Sequence, residues 1–165
     1  MEEKYKKIFK YLDEHDSLKE MVILANNWIT LITYIAYPLM IIRLLTEMED
    51  DGINDIVKMI VIPVVGFILL SVVRKLINAE RPYEKYNITP LVSKDTKGCS
   101  FPSRHVFSIF IISMGFLYVQ TYIGVVFLIL GAILAICRVL VGVHFPKDVI
   151  VGTAAGIICG LAFFL

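Results

Sequence analysis

Long apolar runs separated by polar breaks are the feature that most constrains the fold of this chain. A bilayer is crossed by helices of about 20 mostly apolar residues, because lipid cannot satisfy backbone polar groups. The chain of 165 residues is 58% hydrophobic with a mean hydropathy of +0.76, far above a soluble domain. We therefore predict an all-α, polytopic membrane helix bundle, folded as one membrane-embedded domain over residues 1–165. The predicted spans cover residues 21–45, 56–77, 106–120, 122–141 and 149–165.

The segment before the first span has a different pattern. Residues 1–17 are charged, and apolar residues recur at positions 5, 8, 9 and 12 among the lysines. This is the spacing of an amphipathic helix, and such a helix with lysines on its polar face lies at a membrane interface. The bundle is therefore predicted to contain five or six helices, including this N-terminal one.

Charge and cysteine pattern argue against a protein that binds nucleic acid and against one stabilised by zinc or by disulfides. The formal net charge is only +1, so there is no basic field that would favour nucleic acid. The three cysteines, Cys99, Cys137 and Cys159, form no CxxC pair and no zinc spacing, and their odd number argues against a disulfide framework. The acidic run over residues 47–55 predicts only a solvated turn. We expect an integral membrane protein with no nucleic-acid partner.

Ionisable residues interrupt the apolar pattern between the last two spans, over residues 137–148. A charged residue beside lipid costs about 2.5–3.5 kcal/mol on insertion scales. Such a residue is therefore retained where it forms an ion pair or serves a function. Pro146 suits the first turn of a helix, which places Asp148 close enough to orient His144. A carboxylate on one imidazole nitrogen raises the basicity of the ring and leaves the other nitrogen free to attack. An interfacial ion pair between Arg138 and Asp148 is the alternative interpretation.

A second polar segment, residues 100–105, opens the third span and lengthens it enough to cross a bilayer. Ser100 or Ser103 can cap the helix, and Pro102 suits its first turn. Open backbone amides at a helix start, with Arg104 beside them, form an anion site for which phosphate is a natural ligand. An ordinary cap with a snorkelling arginine explains the segment equally well when it is considered alone.

A third polar segment, residues 74–82, ends the second span and by itself indicates only anchoring to lipid headgroups. Counting spans, however, places all three segments on one membrane face. Several arginines suit a phosphoryl group, two histidines suit a nucleophile and a general acid, and no carboxylate cluster is present for magnesium. A metal-independent phosphoryl transfer is therefore favoured. The face would collect Arg74, Arg81, Arg104, Arg138, His105, His144 and Asp148.

These segments resemble the signature of the type 2 phosphatidic acid phosphatase family, the membrane lipid phosphatases related to vanadium haloperoxidases. That signature reads Lys-x6-Arg-Pro, then Pro-Ser-Gly-His, then Ser-Arg-x5-His-x3-Asp. Order, spacing and placement at span ends all match, which is far more specific than a lone motif. The matching residues are Arg74-x6-Arg81-Pro82, Pro102-Ser103-Arg104-His105 and Cys137-Arg138-x5-His144-x3-Asp148.

The resemblance implies a role for each matching residue in a lipid phosphatase domain. His144 would be the nucleophile and form a phosphohistidine, Asp148 would orient and activate it, and His105 would protonate the leaving oxygen. No metal or other cofactor is implied. Hydrogen-bond donors directed at the negative charge that develops in the transition state would supply most of the rate enhancement. The residues that would bind the phosphoryl oxygens are Arg74, Arg81, Ser103, Arg104 and Arg138.

Three residues depart from the family pattern. Arg74 replaces lysine, which keeps the charge and changes the shape, and Lys75 would substitute if the helix register shifted. Arg104 replaces glycine and excludes conformations that only glycine adopts easily. Cys137 replaces serine and removes one hydroxyl donor. The groups assigned to bond breaking are intact, which favours an active enzyme.

The resemblance allows several lipid substrates, and a compact chain without extra domains suggests a bacterial enzyme of the cell membrane. Undecaprenyl diphosphate and phosphatidylglycerophosphate are therefore favoured. Family members usually place this site on the outer face, which we expect here, although the N-terminal lysines on the same face favour the cytoplasm by the positive-inside rule. A non-catalytic protein that binds or transports a lipid phosphate is the alternative function.

Small residues form a stripe in the last span. Gly152, Gly156 and Gly160 recur every four residues, which lets another helix approach closely. The stripe predicts helix packing, including a possible homodimer. A small structural protein that dimerises through this stripe is a further alternative to the enzyme.

Overall fold

The computed structural model describes residues 2–47, 53–92 and 97–165, and these residues form helices without any strand. Most of the acidic run that was predicted as a turn lies outside the described residues. The all-α class is confirmed. The elements are α1 (Glu2–Asp13), α2 (Asp16–Thr46), α3 (Ile53–Ile77), α4 (Pro82–Tyr86), α5 (Arg104–Val119), α6 (Thr121–Leu140), α7 (Pro146–Gly160) and a 3-10 turn (Leu161–Phe164).

Each of the five predicted spans corresponds to one of these helices. Four helical stretches, which include α2, α3, α6 and α7, are long and apolar enough to cross a membrane. The fifth, α5, is a shorter apolar helix of 16 residues. Pro146 begins α7, as the sequence predicts, because its fixed φ and missing N–H suit the first turn.

Helix α5, of 16 residues, lies at the centre of the bundle. It packs against α3, α6 and α7, and it is apolar around most of its circumference, as expected of a helix that contacts other helices rather than solvent. Phe107 and Phe116 are almost completely buried on it, and the ring of Phe116 meets that of Phe127 edge to face with centroids 4.7 Å apart. Helix α5 is therefore packed against its neighbours from its first turns to its last.

The glycine stripe of α7 packs against α5 of the same chain. A Cβ at Gly152 would lie 2.8 Å from the carbonyl oxygen of Ser103, and one at Gly156 would lie 2.8 Å from that of Phe107. Close helix packing is confirmed. The homodimer predicted through Gly152, Gly156 and Gly160 is not supported on this surface, because α5 already covers all three glycines.

The amphipathic N-terminal helix is confirmed as α1, but its apolar face packs on protein. Tyr5, Phe9 and Leu12 are buried, and Phe9 lies over Gly142 in the turn between α6 and α7. Gly142 has φ +79°, and a Cβ there would lie 2.3 Å from the Phe9 ring, so glycine is required on both counts. Helix α1 thus covers the turn within the polar segment of residues 137–148.

We predict that Gly156→Ala destabilises the protein by about 1–3 kcal/mol, because the new methyl group meets the backbone of α5, which cannot move away cheaply. Thermal unfolding in detergent, followed by circular dichroism, measures the effect. Ala154→Leu is the matched control, since Ala154 lies on the exposed side of the same helix. Equal melting temperatures for the two variants would contradict the close packing of α7 on α5.

Candidate active site

The three polar segments meet at one end of the bundle, as counting the spans predicts. The guanidinium of Arg74, at the end of α3, donates hydrogen bonds to backbone carbonyls of Cys99 and Pro102 just before α5. The backbone N–H of Ser103 donates to the carbonyl of Asp148 in α7 at 3.0 Å. Direct contacts therefore join the end of α3, the start of α5 and the start of α7.

Asp148 has no exposed surface and forms the centre of a small network. Its Oδ2 accepts hydrogen bonds from Ser100 Oγ at 2.5 Å and from the backbone N–H of Phe145 at 2.9 Å. Nδ1 of His144 lies 3.6 Å from the same oxygen and 3.5 Å from Ser100 Oγ. The first of these distances is slightly beyond a direct hydrogen bond. The network thus fixes the Nδ1 side of the imidazole and leaves Nε2 on the far side of the ring.

Burial determines the protonation state of His144. Its side chain is 2% exposed, and burial outweighs the nearby carboxylate of Asp148, so that the pKa of His144 falls from 6.5 to about 4. The positive charges of Arg81 and Arg138 also lower this pKa. The imidazole is therefore neutral at pH 7 and keeps a nitrogen lone pair.

Arg74 and Arg81 are buried and use many of their N–H groups to hold backbone in place. Arg74 donates to two carbonyls within residues 99–102. Arg81 donates from Nε to the carbonyl of Gly98 at 2.9 Å and from Nη1 to that of Val143 at 3.3 Å. Arg81 therefore links the loop before α5 to the turn that carries His144.

Arg138 and Ser103 are buried with unused hydrogen-bonding capacity. Nη2 of Arg138 donates to Thr30 Oγ1 at 3.3 Å, whereas its Nε has no partner among the described residues. Ser103 Oγ also lacks a partner there, although Ser103 is the N-cap residue of α5. Arg138 and Asp148 form no ion pair in the described part of the chain, so the alternative interpretation of that segment is not supported.

The structure shows where the three residues that depart from the family signature lie. Arg74 is buried and Lys75 is exposed, so Arg74 occupies the inward position. Arg104 begins α5 in ordinary helical geometry, with its guanidinium 5.7 Å from the ring centroid of Phe67. The backbone at Arg104 therefore needs none of the conformations reserved for glycine. Cys137 is buried in the apolar part of α6.

The eight predicted site residues do not border a single cavity. Arg138 and His105 border a cavity of about 330 Å³ beside α2. A second cavity, of about 230 Å³, is bordered by Arg74, Arg81 and Arg104. The remaining three residues, Ser103, His144 and Asp148, are buried and line neither cavity.

Two residues at the centre of the site were not predicted as part of it. Ser100 was considered only as a helix cap, and it instead bonds the carboxylate of Asp148. Tyr5 of α1 donates its hydroxyl to the backbone carbonyl of His144 at 3.0 Å, and its ring contacts Phe145. Burial raises the pKa of Tyr5 above its usual value, so the donor proton is retained. The amphipathic pattern marked Tyr5 as apolar but could not indicate the surface that it contacts.

A family model described as the PAP2 superfamily matches residues 55–165, which contain all three polar segments. The chain belongs to the PAP2 superfamily. PAP2 phosphatases hydrolyse phosphate esters of lipids, so this protein is a membrane-embedded lipid phosphatase. The match to a membrane family and the apolar helices together identify it as an integral membrane protein.

Individual PAP2 proteins resemble this chain over most of its length. Undecaprenyl-diphosphatase BcrC of Bacillus subtilis is 24% identical over 153 residues, which are 93% of this chain and 77% of BcrC. The crystal structure of Aquifex aeolicus LpxE matches with a TM-score of 0.70 and 22% identity, over 90% of this chain and 93% of LpxE. A PAP2-type phosphatidylglycerolphosphate phosphatase from Bacillus subtilis matches with a TM-score of 0.60 and 19% identity, over 97% and 90% of the two chains. At these identities the two structures support the PAP2 fold alone.

We predict that His144 stays neutral well below pH 6.5. Its pKa is lower in the folded than in the unfolded protein, so the unfolded state binds more protons between about pH 4 and 6.5. The contribution of His144 to the free energy of unfolding is complete above pH 6.5 and declines as the pH falls towards 4. NMR of ¹³C-labelled histidine in detergent measures the titration, and the resonance missing from His144→Gln identifies the residue. A titration midpoint at 6.5 or above would contradict the prediction.

Proposed function

We propose that this PAP2 protein hydrolyses a lipid phosphate or diphosphate without a metal, through a phosphohistidine, and that undecaprenyl diphosphate or phosphatidylglycerophosphate is its substrate. The observation that carries the proposal is an excess of buried positive charge. Three guanidiniums, those of Arg74, Arg81 and Arg138, are each at most 4% exposed. Among the residues that the structure describes, they are accompanied by one buried carboxylate, Asp148, and by a neutral His144.

Buried cations without counter-ions are costly, and an anionic ligand relieves that cost. A phosphoryl group brings up to two negative charges and several acceptor oxygens. The hydroxyl of Ser103, which has no partner among the described residues, and the guanidinium N–H groups of Arg138 supply hydrogen bonds that such oxygens accept. Arg81 and Arg138 both act electrostatically on His144, which supports binding of the phosphoryl group close to its imidazole.

The proposed reaction has two steps. Nε2 of His144 attacks phosphorus, the bond between phosphorus and the leaving oxygen breaks, and a protonated His105 gives its proton to that oxygen. Asp148 stabilises the positive charge that develops on the ring of His144. Water then attacks the phosphohistidine, His105 accepts a proton from it, and inorganic phosphate leaves with His144 restored.

The choice of substrate is supported by the relatives. BcrC is an undecaprenyl-diphosphatase, and one structural neighbour is a phosphatidylglycerolphosphate phosphatase. Both relatives are bacterial, as we propose for this protein. The exposed sides of α2 and α3 carry many large apolar residues that would contact lipid, so a substrate held in the bilayer can approach the site sideways.

We expect wild-type protein in detergent with EDTA to release phosphate from undecaprenyl diphosphate or phosphatidylglycerophosphate, and His144→Ala to lose about 10³-fold or more of kcat. His15→Ala is the matched control, because His15 is exposed at the start of α2. Vanadate should inhibit the wild type, since it mimics the transferring phosphoryl group. Binding of the lipid phosphate without release of inorganic phosphate would support the non-catalytic alternative. Turnover that survives in His144→Ala would exclude the phosphohistidine.

We further propose that the site faces outward. Helix α1 packs on the turn of residues 141–145, so the N-terminus lies at the same end of the bundle as the site. Five spans then leave Leu165 at the opposite end. A green fluorescent protein fused after Leu165 should fluoresce in the cytoplasm, and alkaline phosphatase fused at the same position should be inactive. The reverse pair of results would place the site in the cytoplasm.

A further inference from the structure

Two adjacent asparagines lie within the membrane-spanning helix α2, where nothing in the proposed reaction uses them. Asn26 is 3% exposed, and Asn27 follows it at a more exposed position. A carboxamide in an apolar helix is costly, and such residues in membrane spans generally pair with one another or serve a ligand. Their position therefore requires an explanation.

The asparagine amides are only partly satisfied by protein. Nδ2 of Asn26 donates to Oδ1 of Asn27 at 2.9 Å, while Oδ1 of Asn26 is buried with no partner among the described residues. Both residues border the 330 Å³ cavity, together with His105 and Arg138. The Nε of Arg138 is the second buried polar atom on this cavity that lacks a partner. Two independent, buried and unpartnered groups thus belong to residues that line the same space.

We propose that this cavity is a subsite for the second phosphate of a lipid diphosphate, the phosphate that leaves with the lipid. The inference rests on the proposed function, in which His105 protonates the leaving oxygen. His105 borders the cavity, so a leaving oxygen that takes its proton from His105 lies at the cavity. Arg138, which borders the same cavity, then contributes to binding both phosphates.

The chemistry of the lining favours a phosphate over a bare lipid alcohol. Arg138 Nε and the amide N–H groups of Asn26 and Asn27 donate to phosphate oxygens. When the bond to the terminal phosphorus breaks, the leaving lipid phosphate keeps the bridging oxygen and takes the proton of His105. The resulting P–O–H group is a donor, and the unpartnered Oδ1 of Asn26 is an acceptor for it. An isoprenol leaving from a monophosphate would instead place methylene groups against these polar atoms.

Thr30 acts differently from the asparagines. Its hydroxyl donates to the backbone carbonyl of Asn26 at 2.8 Å and accepts from Arg138 at 3.3 Å. Thr30 therefore positions Arg138 and has no proton left to donate to the leaving group. For this reason the test replaces the asparagines and leaves Thr30 unchanged.

The experiment compares two soluble substrates with the same tail, farnesyl diphosphate and farnesyl phosphate, in detergent with EDTA. We expect Asn26→Leu and Asn27→Leu to lower the ratio of kcat/KM for the diphosphate to kcat/KM for the monophosphate by about 10-fold or more, as expected when hydrogen bonds to a charged group are lost. Thr33→Val is the matched control. It removes another buried hydroxyl of α2, which donates only to the carbonyl of Ile29, and it should leave the ratio unchanged.

The outcomes separate this inference from the proposed function. An unchanged ratio in both asparagine variants overturns the subsite, even if the wild type is an active phosphatase. A wild type that releases phosphate from undecaprenyl diphosphate, phosphatidylglycerophosphate and both farnesyl substrates no faster than His144→Ala overturns the proposed function and the subsite with it. If buried Asn26→Leu fails to fold, the more exposed Asn27→Leu decides the question, and its turnover of farnesyl phosphate shows that it is folded.

Discussion

Burial of the Asp148 carboxylate is the interaction on which the rest of the site depends. A carboxylate with no exposed surface is stable only if protein donors replace water, and each lost donor costs about 1–3 kcal/mol. Those donors are the hydroxyl of Ser100 and the backbone N–H of Phe145, which come from two different segments. Both hydrogen bonds go to Oδ2, whereas Oδ1 is buried without a partner among the described residues. Oδ2 can be hydrogen-bonded in this way only when the loop before α5 and the turn before α7 are both in place, and that turn also carries His144.

The buried arginines show how one type of residue serves both the fold and the chemistry. Arg81 holds the carbonyls of Gly98 and Val143, so its guanidinium is fixed before any ligand arrives. A fixed donor needs no reorganisation when charge develops on a phosphoryl group, which is the arrangement that stabilises a transition state most effectively. Arg138 has fewer protein partners, and its Nε has none among the described residues, so this N–H is free to bind a ligand. A guanidinium has five N–H groups in a planar fork, against three on an ammonium, so it can hold backbone carbonyls and keep more donors for a ligand.

The sequence predicted the parts of this structure that depend on local periodicity and on counting. Span positions follow from apolar length, and the meeting of the three polar segments follows from the alternation of helix ends between the two faces. The sequence did not predict which helix packs against the glycine stripe of α7. A small-xxx-small pattern allows close approach to any helix, and it does not distinguish α5 of the same chain from a second copy. For the same reason the apolar spacing of Tyr5 and Phe9 predicted a buried face but not that this face covers the turn before His144.

The part of the chain that lies before the family-model match bears on where specificity resides. The PAP2 match begins at residue 55, so it contains His105, His144 and the arginines but excludes α1 and α2. The two excluded helices nevertheless contact the site, α1 through Tyr5 and the backbone of His144, and α2 through Thr30 and Arg138. Side chains on α2 can change without altering the hydrogen bonds that hold Asp148 beside the imidazole of His144. In the reaction proposed above, a change in the group that leaves with the lipid is then most easily accommodated on α2, which borders the same cavity as His105.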